Sequence, residues 1–268
     1  MTVHAIVVEN LEKYFPPAYS GWRALFQPVA RLTQCALAGI SFSVEPGEAV
    51  ALIGENGAGK STLLRVLATL ILPTRGHAQV SGYNVERDGA NARKQLGYYT
   101  SADEGFYGRL TGRENLRLFA TMNNLMRGQA SRRIDELAKL LGFEEILDCQ
   151  SRTYSTGMLQ RLGLARSLLN APAVLLLDEP TRSLDPLAAA EFRRFLKTEI
   201  VARLGTTLLF ASHSLDEVHE IANRVVLLSQ GRALAFDTPR NLCARTGAVD
   251  LQGALERVTG PLSPAPNQ

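Results

Sequence analysis

The stretch Gly54-Glu55-Asn56-Gly57-Ala58-Gly59-Lys60-Ser61-Thr62 combines residue types that can hold a phosphate. It fits the pattern G-x-x-x-x-G-K-S/T. The glycines accept backbone angles that a Cβ would forbid, so successive N–H groups can turn inward. Those N–H groups form a concave nest for anionic oxygens. Lys60 can reach the β- and γ-phosphates, and the Ser61 hydroxyl can ligate Mg²⁺. A helix starting about there adds the positive end of its dipole.

The flanks supply the elements that such a loop needs. Ala49 to Ile53 is a short apolar run ending at Gly54 and reads as a buried strand. Thr62 to Leu72 follows as an apolar, helix-length stretch that Pro73 would end. A second candidate lies in Val174-Leu175-Leu176-Leu177-Asp178-Glu179, an apolar strand closing on two acids. Beside a phosphate loop, the first acid can hold Mg²⁺ through water. The second can orient and deprotonate an attacking water. Alone, such a pair would often be no more than solvated loop carboxylates; the phosphate loop beside it disfavours that reading.

The 268 residues are 46% apolar and 21% charged, enough for a full globular core. A net charge of +3 does not suggest nucleic acid as a partner. Cys35, Cys149 and Cys243 lack metal-ligand spacing and read as buried structural thiols in a reducing compartment. The N-terminus carries no signal-peptide pattern. The longest apolar stretch, Leu63 to Leu72, is interrupted by Arg65 and is too short to span a bilayer.

Val3 to Val8 reads as a first strand. Residues 16–37 resemble an insertion, with Trp22, Leu25, Phe26, Val29 and Leu32 at helical spacing. An amphipathic helix covering the core is the favoured reading; contact with a membrane surface or partner is the alternative. Ile40 to Val44 alternates like a half-buried strand. Residues 112–170 carry helical patterns, among them Asn115 to Leu125 and Ser131 to Leu141. Ala173 to Leu177, Thr206 to Ala211 and Arg224 to Leu228 return to buried strands. The alternation predicts a mostly parallel α/β sheet core with an inserted helical subdomain at about 100–170. The proline-rich end from Gly260 reads as disordered. His4, His77 and His219 are isolated and suggest packing or surface roles. Arg109, Arg113, Arg117 and Arg127 read as a solvated face, or as contacts to lipid head groups.

With these residues in view, the chain resembles the nucleotide-binding domain of the ATP-binding cassette (ABC) family. Tyr154-Ser155-Thr156-Gly157-Met158 is similar to the family's signature segment, usually Leu-Ser-Gly-Gly-Gln. Asp178-Glu179-Pro180-Thr181 matches its extended acidic motif, Ser183-Leu184-Asp185 its D-loop, and Ser212-His213 its switch histidine. Phe15, or Tyr14 beside it, stands where the family stacks an aromatic on adenine. The resemblance covers about residues 3–240. It implies a P-loop α/β fold of ABC type with an antiparallel β portion. The nucleotide-binding domain would occupy residues 1–245, with a C-terminal extension over 246–268.

The resemblance also implies a mechanism. Two copies would meet head to tail around two ATP molecules with Mg²⁺ held at Ser61 and Asp178. Each ATP would lie between residues 54–62 of one copy and Ser155 and Gly157 of the other. Glu179 would be the general base, with His213 and Lys60 also catalytic. Asp185 would sit across the dimer interface. The form Tyr-Ser-Thr-Gly-Met, with Leu110-Thr111-Gly112-Arg113-Glu114-Asn115-Leu116, resembles a subgroup of prokaryotic exporters of drugs, lipids or polysaccharides. These keep an integral membrane permease on a separate chain, which places the ATPase on the cytoplasmic face of the membrane, as a homodimer or with a similar chain. An importer ATPase, a soluble ABC protein of DNA repair or ribosomes, and a regulatory cassette without turnover are the rival readings. Two departures stand out. The glutamine usual between phosphate loop and signature is absent, leaving Ser101, Asp103 or Glu104 as substitutes. Tyr154, Thr156 and Met158 replace the usual leucine, glycine and glutamine.

Overall fold

The computed structural model of the chain describes residues 4–16, 34–101 and 105–259. In chain order the strands are β1 (Ile6–Phe15), β2 (Gln34–Val44), β3 (Ala49–Ile53), β4 (Arg75–Val80), β5 (Tyr83–Asn84), β6 (Leu96–Thr100), β7 (Val174–Asp178), β8 (Thr207–Ala211), β9 (Arg224–Ser229) and β10 (Arg232–Asp237). The helices are α1 (Lys60–Leu67), α2 (Gly89–Gln95), α3 (Gly112–Met122), α4 (Arg127–Leu141), α5 (Thr156–Ser167), α6 (Pro186–Phe195), α7 (Leu215–Ile221), α8 (Pro239–Thr246) and α9 (Leu251–Thr259).

Every residue of β3, β7 and β8 is buried. That burial explains their continuous apolar runs, because a parallel strand is covered on both faces. They lie in a six-stranded sheet of order β10-β9-β3-β8-β7-β6. All its neighbours pair in parallel except β10, which folds back on β9. Side chains alternate between the two faces. Val50, Leu52, Val174, Leu176, Leu209 and Ala211 face one core layer with α1 and the second sheet. Ala49, Ala51, Ile53, Leu175, Leu177, Leu208 and Phe210 face the other layer with the helical block. The second sheet is antiparallel, of order β2-β1-β4-β5.

The helical block is held by its own sequence signals. Thr111 accepts from the Glu114 N–H at 3.1 Å, and Glu114 Oε2 accepts from the Thr111 N–H at 2.8 Å, a reciprocal cap on α3. Asn115 is fully buried and answers the backbone of the preceding loop, accepting from the Tyr107 N–H at 2.8 Å and donating to the Thr111 carbonyl at 2.9 Å. Arg113 departs from the solvated-face expectation: it pairs with Asp148 at 2.7 Å and Asp135 at 2.5 Å. Its hydrogen bond holds the Asp148 carboxyl below the usual carboxylate range. Arg166 stands 5.0 Å from the ring centroids of both Phe106 and Phe119. Among the described residues, no helix is long and apolar enough to cross a membrane.

Several expected boundaries move. The first strand runs over Ile6–Phe15, beyond Val8, because β1 pairs on both sides. It continues past Asn10, at φ 47°, with a register shift between Val8 and Leu11. Residues 34–37 belong to β2, pairing Phe15 with Gln34 and Tyr14 with Cys35; the helix expected within 16–37 otherwise falls outside the described residues. Helix α1 stops at Leu67, well before Pro73, because the chain turns left-handed at Thr69 (φ 59°) and leaves Leu70 and Leu72 exposed. The cysteines are not buried: Cys35 and Cys149 are exposed and Cys243 is half-buried. The tail from Gly260 lies outside the described residues. Before it, Leu251 and Ala254 of α9 are fully buried in the helical-side core.

Leu137 of α4 is fully buried in that layer. Leu137→Ala is expected to cost about 2–5 kcal/mol in urea denaturation; an unchanged midpoint would contradict the packing described.

Candidate functional site

Strand register gathers the site. In the parallel pairs, Leu52 of β3 and Asp178 of β7 both stand opposite Ala211 of β8. The residues that follow these three strands therefore emerge together at the carboxyl edge of the sheet, where open α/β folds bind ligands. Gly54 leaves β3 at φ 154°, and a Cβ there would lie 2.1 Å from the Leu228 carbonyl oxygen. Gly59 caps α1 at φ 106°. Its carbonyl accepts the Leu63 N–H at 2.9 Å. The N–H groups of Lys60, Ser61 and Thr62 precede that first bond, so the helix offers them no acceptor of its own.

Lys60 is only 6% exposed. Its ammonium donates to the carbonyls of Gly54 at 2.6 Å and Glu55 at 2.9 Å, so the loop is wrapped around its own cation. Burial lowers the Lys60 pKa, while Glu179 and Asp178 pull it back up. Within the loop, Ala58 is buried and Glu55 is exposed. Ser61 Oγ donates to Asp178 Oδ1 at 3.0 Å. Burial, with Asp178 next, pushes the neighbouring Tyr98 hydroxyl upward.

Glu179 adopts φ 50°, a strained region for a non-glycine residue. Its N–H donates to the Ala211 carbonyl at 3.0 Å, tying the ends of β7 and β8. Glu179 Oε1 lies 2.8 Å from His213 Nε2, and Oε2 lies 3.3 Å from Arg182. A cleft of about 330 Å³ joins these groups: Lys60, Ser61, Thr62, Glu179 and His213 line it together with Asn56 and Gly57. Phe15, not Tyr14, forms part of its wall. Chemically, the cleft brings backbone N–H donors and a cation together with a carboxylate–imidazole pair. That suits a bound polyphosphate and an attacking water.

Ser155, Gly157 and Asp185 do not line this cleft. Ser155 is exposed at the N-terminus of α5, where its hydroxyl accepts the Met158 N–H at 3.3 Å. Gly157 borders a separate cavity of about 370 Å³ with Leu184, Gln160 and Phe192. Asp185 caps α6 through the N–H groups of Leu187 at 3.1 Å and Ala188 at 3.0 Å. Two of the three unusual signature residues, Met158 and Tyr154, have structural partners. Met158 Sδ accepts the Ser155 N–H at 3.3 Å, closing the cap that a glutamine would close. Tyr154 donates its hydroxyl to the Ile146 carbonyl, and burial pushes its pKa up to about 12. Gly112 makes room for it, since a Cβ there would lie 2.4 Å from that hydroxyl oxygen.

In the region of the missing glutamine, the Ser101 N–H reaches the Asp178 carbonyl at 3.4 Å; Asp103 and Glu104 lie outside the described residues. Sequence reasoning missed Glu217, which is 2% exposed and receives a hydrogen bond from Thr181 beside the Glu179–His213 pair. Its place four residues after His213 on a charged helix gives no local sign of burial.

The family model described as ABC transporter matches residues 37–182, more than half of the chain. The ABC transporter ATP-binding protein NatA of Bacillus subtilis is 34% identical over 199 residues, covering 74% of this chain and 80% of that protein. A daunorubicin resistance ATP-binding protein of Streptomyces coeruleorubidus is 39% identical over 215 residues, covering 79% of this chain and 66% of that one. The solved structure of an ATP-binding subunit of an ABC transporter superposes with a TM-score of 0.76 at 28% identity, over 96% of this chain and 100% of its own. The chain belongs to the ABC transporter family, as an ATP-binding and ATP-hydrolysing cassette.

Proposed function

We propose that this chain powers a membrane exporter, docked as a peripheral subunit on the cytoplasmic face of an integral membrane permease carried by a separate chain. The drug-resistance name of a relative 39% identical supports export, as does the resemblance of the Tyr154 to Met158 segment to exporter cassettes. One observation carries the mechanistic part. The phosphate loop and the Glu179–His213 pair share one cleft, whereas Ser155 and Gly157 lie outside it. A second copy of the chain would bring its Ser155 hydroxyl and Gly157 N–H to the γ-phosphate, closing the site.

In this reading the N–H groups of Gly57 and of residues 59–62 and the Lys60 ammonium hold the phosphates, the Ala58 N–H being engaged by the Glu55 carbonyl at 3.1 Å, and Phe15 stacks on the base. Ser61 and Asp178 fit Mg²⁺, since their hard oxygens already lie 3.0 Å apart. When bound, the ion supplies charge neutralisation to the β- and γ-phosphates. Glu179 accepts a proton from water as its oxygen attacks the γ-phosphorus and the bond to the ADP oxygen breaks. His213, 2.8 Å from Glu179, orients that carboxylate and reaches the γ-phosphate. Asp185 fixes the start of α6 at the face offered to the second copy.

Glu179→Gln is expected to leave ATP affinity within about threefold and to slow hydrolysis by about 10²–10⁴-fold; normal turnover in a single-turnover assay removes the general base. Lys60→Ala removes the buried cation and is expected to weaken ATP binding at least about tenfold by calorimetry. Gly54→Ala drives a Cβ into the Leu228 carbonyl. That variant is expected to stay folded by circular dichroism while losing ATP binding; full affinity would show that the loop does not need its observed path.

A further inference from the structure

Glu217 sits on α7, four residues beyond His213, and its side chain is nearly sealed from solvent. Thr181, two residues after Glu179, donates its hydroxyl to Glu217 Oε1. The Ser212 hydroxyl, immediately before His213, lies beside the same carboxyl. Glu217 Oε2 is buried without a hydrogen bond from the described residues. A small cavity of about 130 Å³ is bounded by Glu217 together with Glu179, Thr181, Ser212 and His213. One carboxyl therefore touches both loops that carry the hydrolytic pair, and it shares a cavity with the pair itself.

We propose that Glu217 is a positioning residue for ATP hydrolysis: it joins the loop after β7 to the loop after β8 and so fixes Glu179 against His213. The inference rests on reading Glu179 and His213 as the hydrolytic groups. The strained backbone of Glu179 explains why such a joint is needed. A residue held at φ 50° persists only where its surroundings over-determine it. The Ala211 carbonyl fixes its N–H, and Thr181 with Glu217 fixes the chain just beyond it. Burial raises the Glu217 carboxyl above the ordinary range; the Ser212 and Thr181 hydroxyls and Arg193 of α6 oppose this, and Glu179 adds to it. Arg193 is itself engaged by Glu220 at 2.7 Å. An uncharged side chain of the same shape that still accepts from Thr181 should therefore serve.

The test measures steady-state ATP hydrolysis by the full chain carrying Glu217→Ala, Glu217→Gln, Thr181→Val, Glu179→Gln, or Glu217→Ala combined with Glu179→Gln. Glu217→Ala is expected to lower kcat about 10–100-fold with the KM for ATP within about threefold, the size of effect that a small misplacement produces. Glu217→Gln should restore kcat to within about threefold of the unmodified chain. Thr181→Val should follow Glu217→Ala. In the Glu179→Gln background, Glu217→Ala should cost less than about twofold more, because it acts through Glu179. Unchanged kcat in Glu217→Ala, a loss that Gln does not restore, or a full further loss in the Glu179→Gln background overturns the inference. If Glu217→Ala does not fold, Thr181→Val decides: normal kcat there overturns it. Normal turnover of Glu179→Gln alone would instead remove the underlying assignment of the pair.

Discussion

The parallel pairing of β3, β8 and β7 is the constraint on which the rest depends. Because Leu52 and Asp178 both stand opposite Ala211, three chain segments far apart in sequence leave the sheet at one level. A register slip of one residue would turn every buried side chain of a strand to the opposite face. That cost is large here, since each of the three strands is buried on both faces. The fold thus fixes the separation of Lys60, Ser61, Asp178, Glu179 and His213 before any ligand is considered. The local contacts then refine it: Ser61 to Asp178, Glu179 to Ala211, and Glu179 to His213.

The helical block follows a different logic. It is fastened by capping, by the buried Asn115, and by Arg113 between two aspartates. These contacts lie mainly within the block. It presents Ser155 at the exposed start of α5, with Tyr154, the residue before it, anchored through its hydroxyl to the Ile146 carbonyl. The departures from the usual signature thus leave the cap intact. In the proposed two-copy reading, a site divided in this way would make hydrolysis conditional on assembly and so couple ATP binding to motion.

Much of the site was legible in sequence because its chemistry is local. Gly54, Gly59, Lys60 and Ser61 are read from one nine-residue loop, and Asp178 and Glu179 from the end of one apolar run. The helical reading of 112–170 followed from spacing and agrees with α3, α4 and α5. What escaped depends on partners distant in the chain. The extension of β1 to Phe15 needs β2 and β4 on either side. The early end of α1 is set by the left-handed turn at Thr69, where the apolar pattern itself continues. Cys35 and Cys149 lie at exposed positions that composition cannot reveal. Glu217 looks like a surface acid on a short charged helix, and only the tertiary contact with Thr181 marks it as interior.

The divided site is most directly tested by mass. The Glu179→Gln chain, incubated with ATP and Mg²⁺, would be passed over a sizing column with light-scattering detection. A species of twice the 29.2 kDa chain mass is expected. It should be absent without ATP and absent again when Ser155 is also replaced by arginine. A chain that binds ATP stoichiometrically yet remains at 29.2 kDa would contradict a site completed by a second copy.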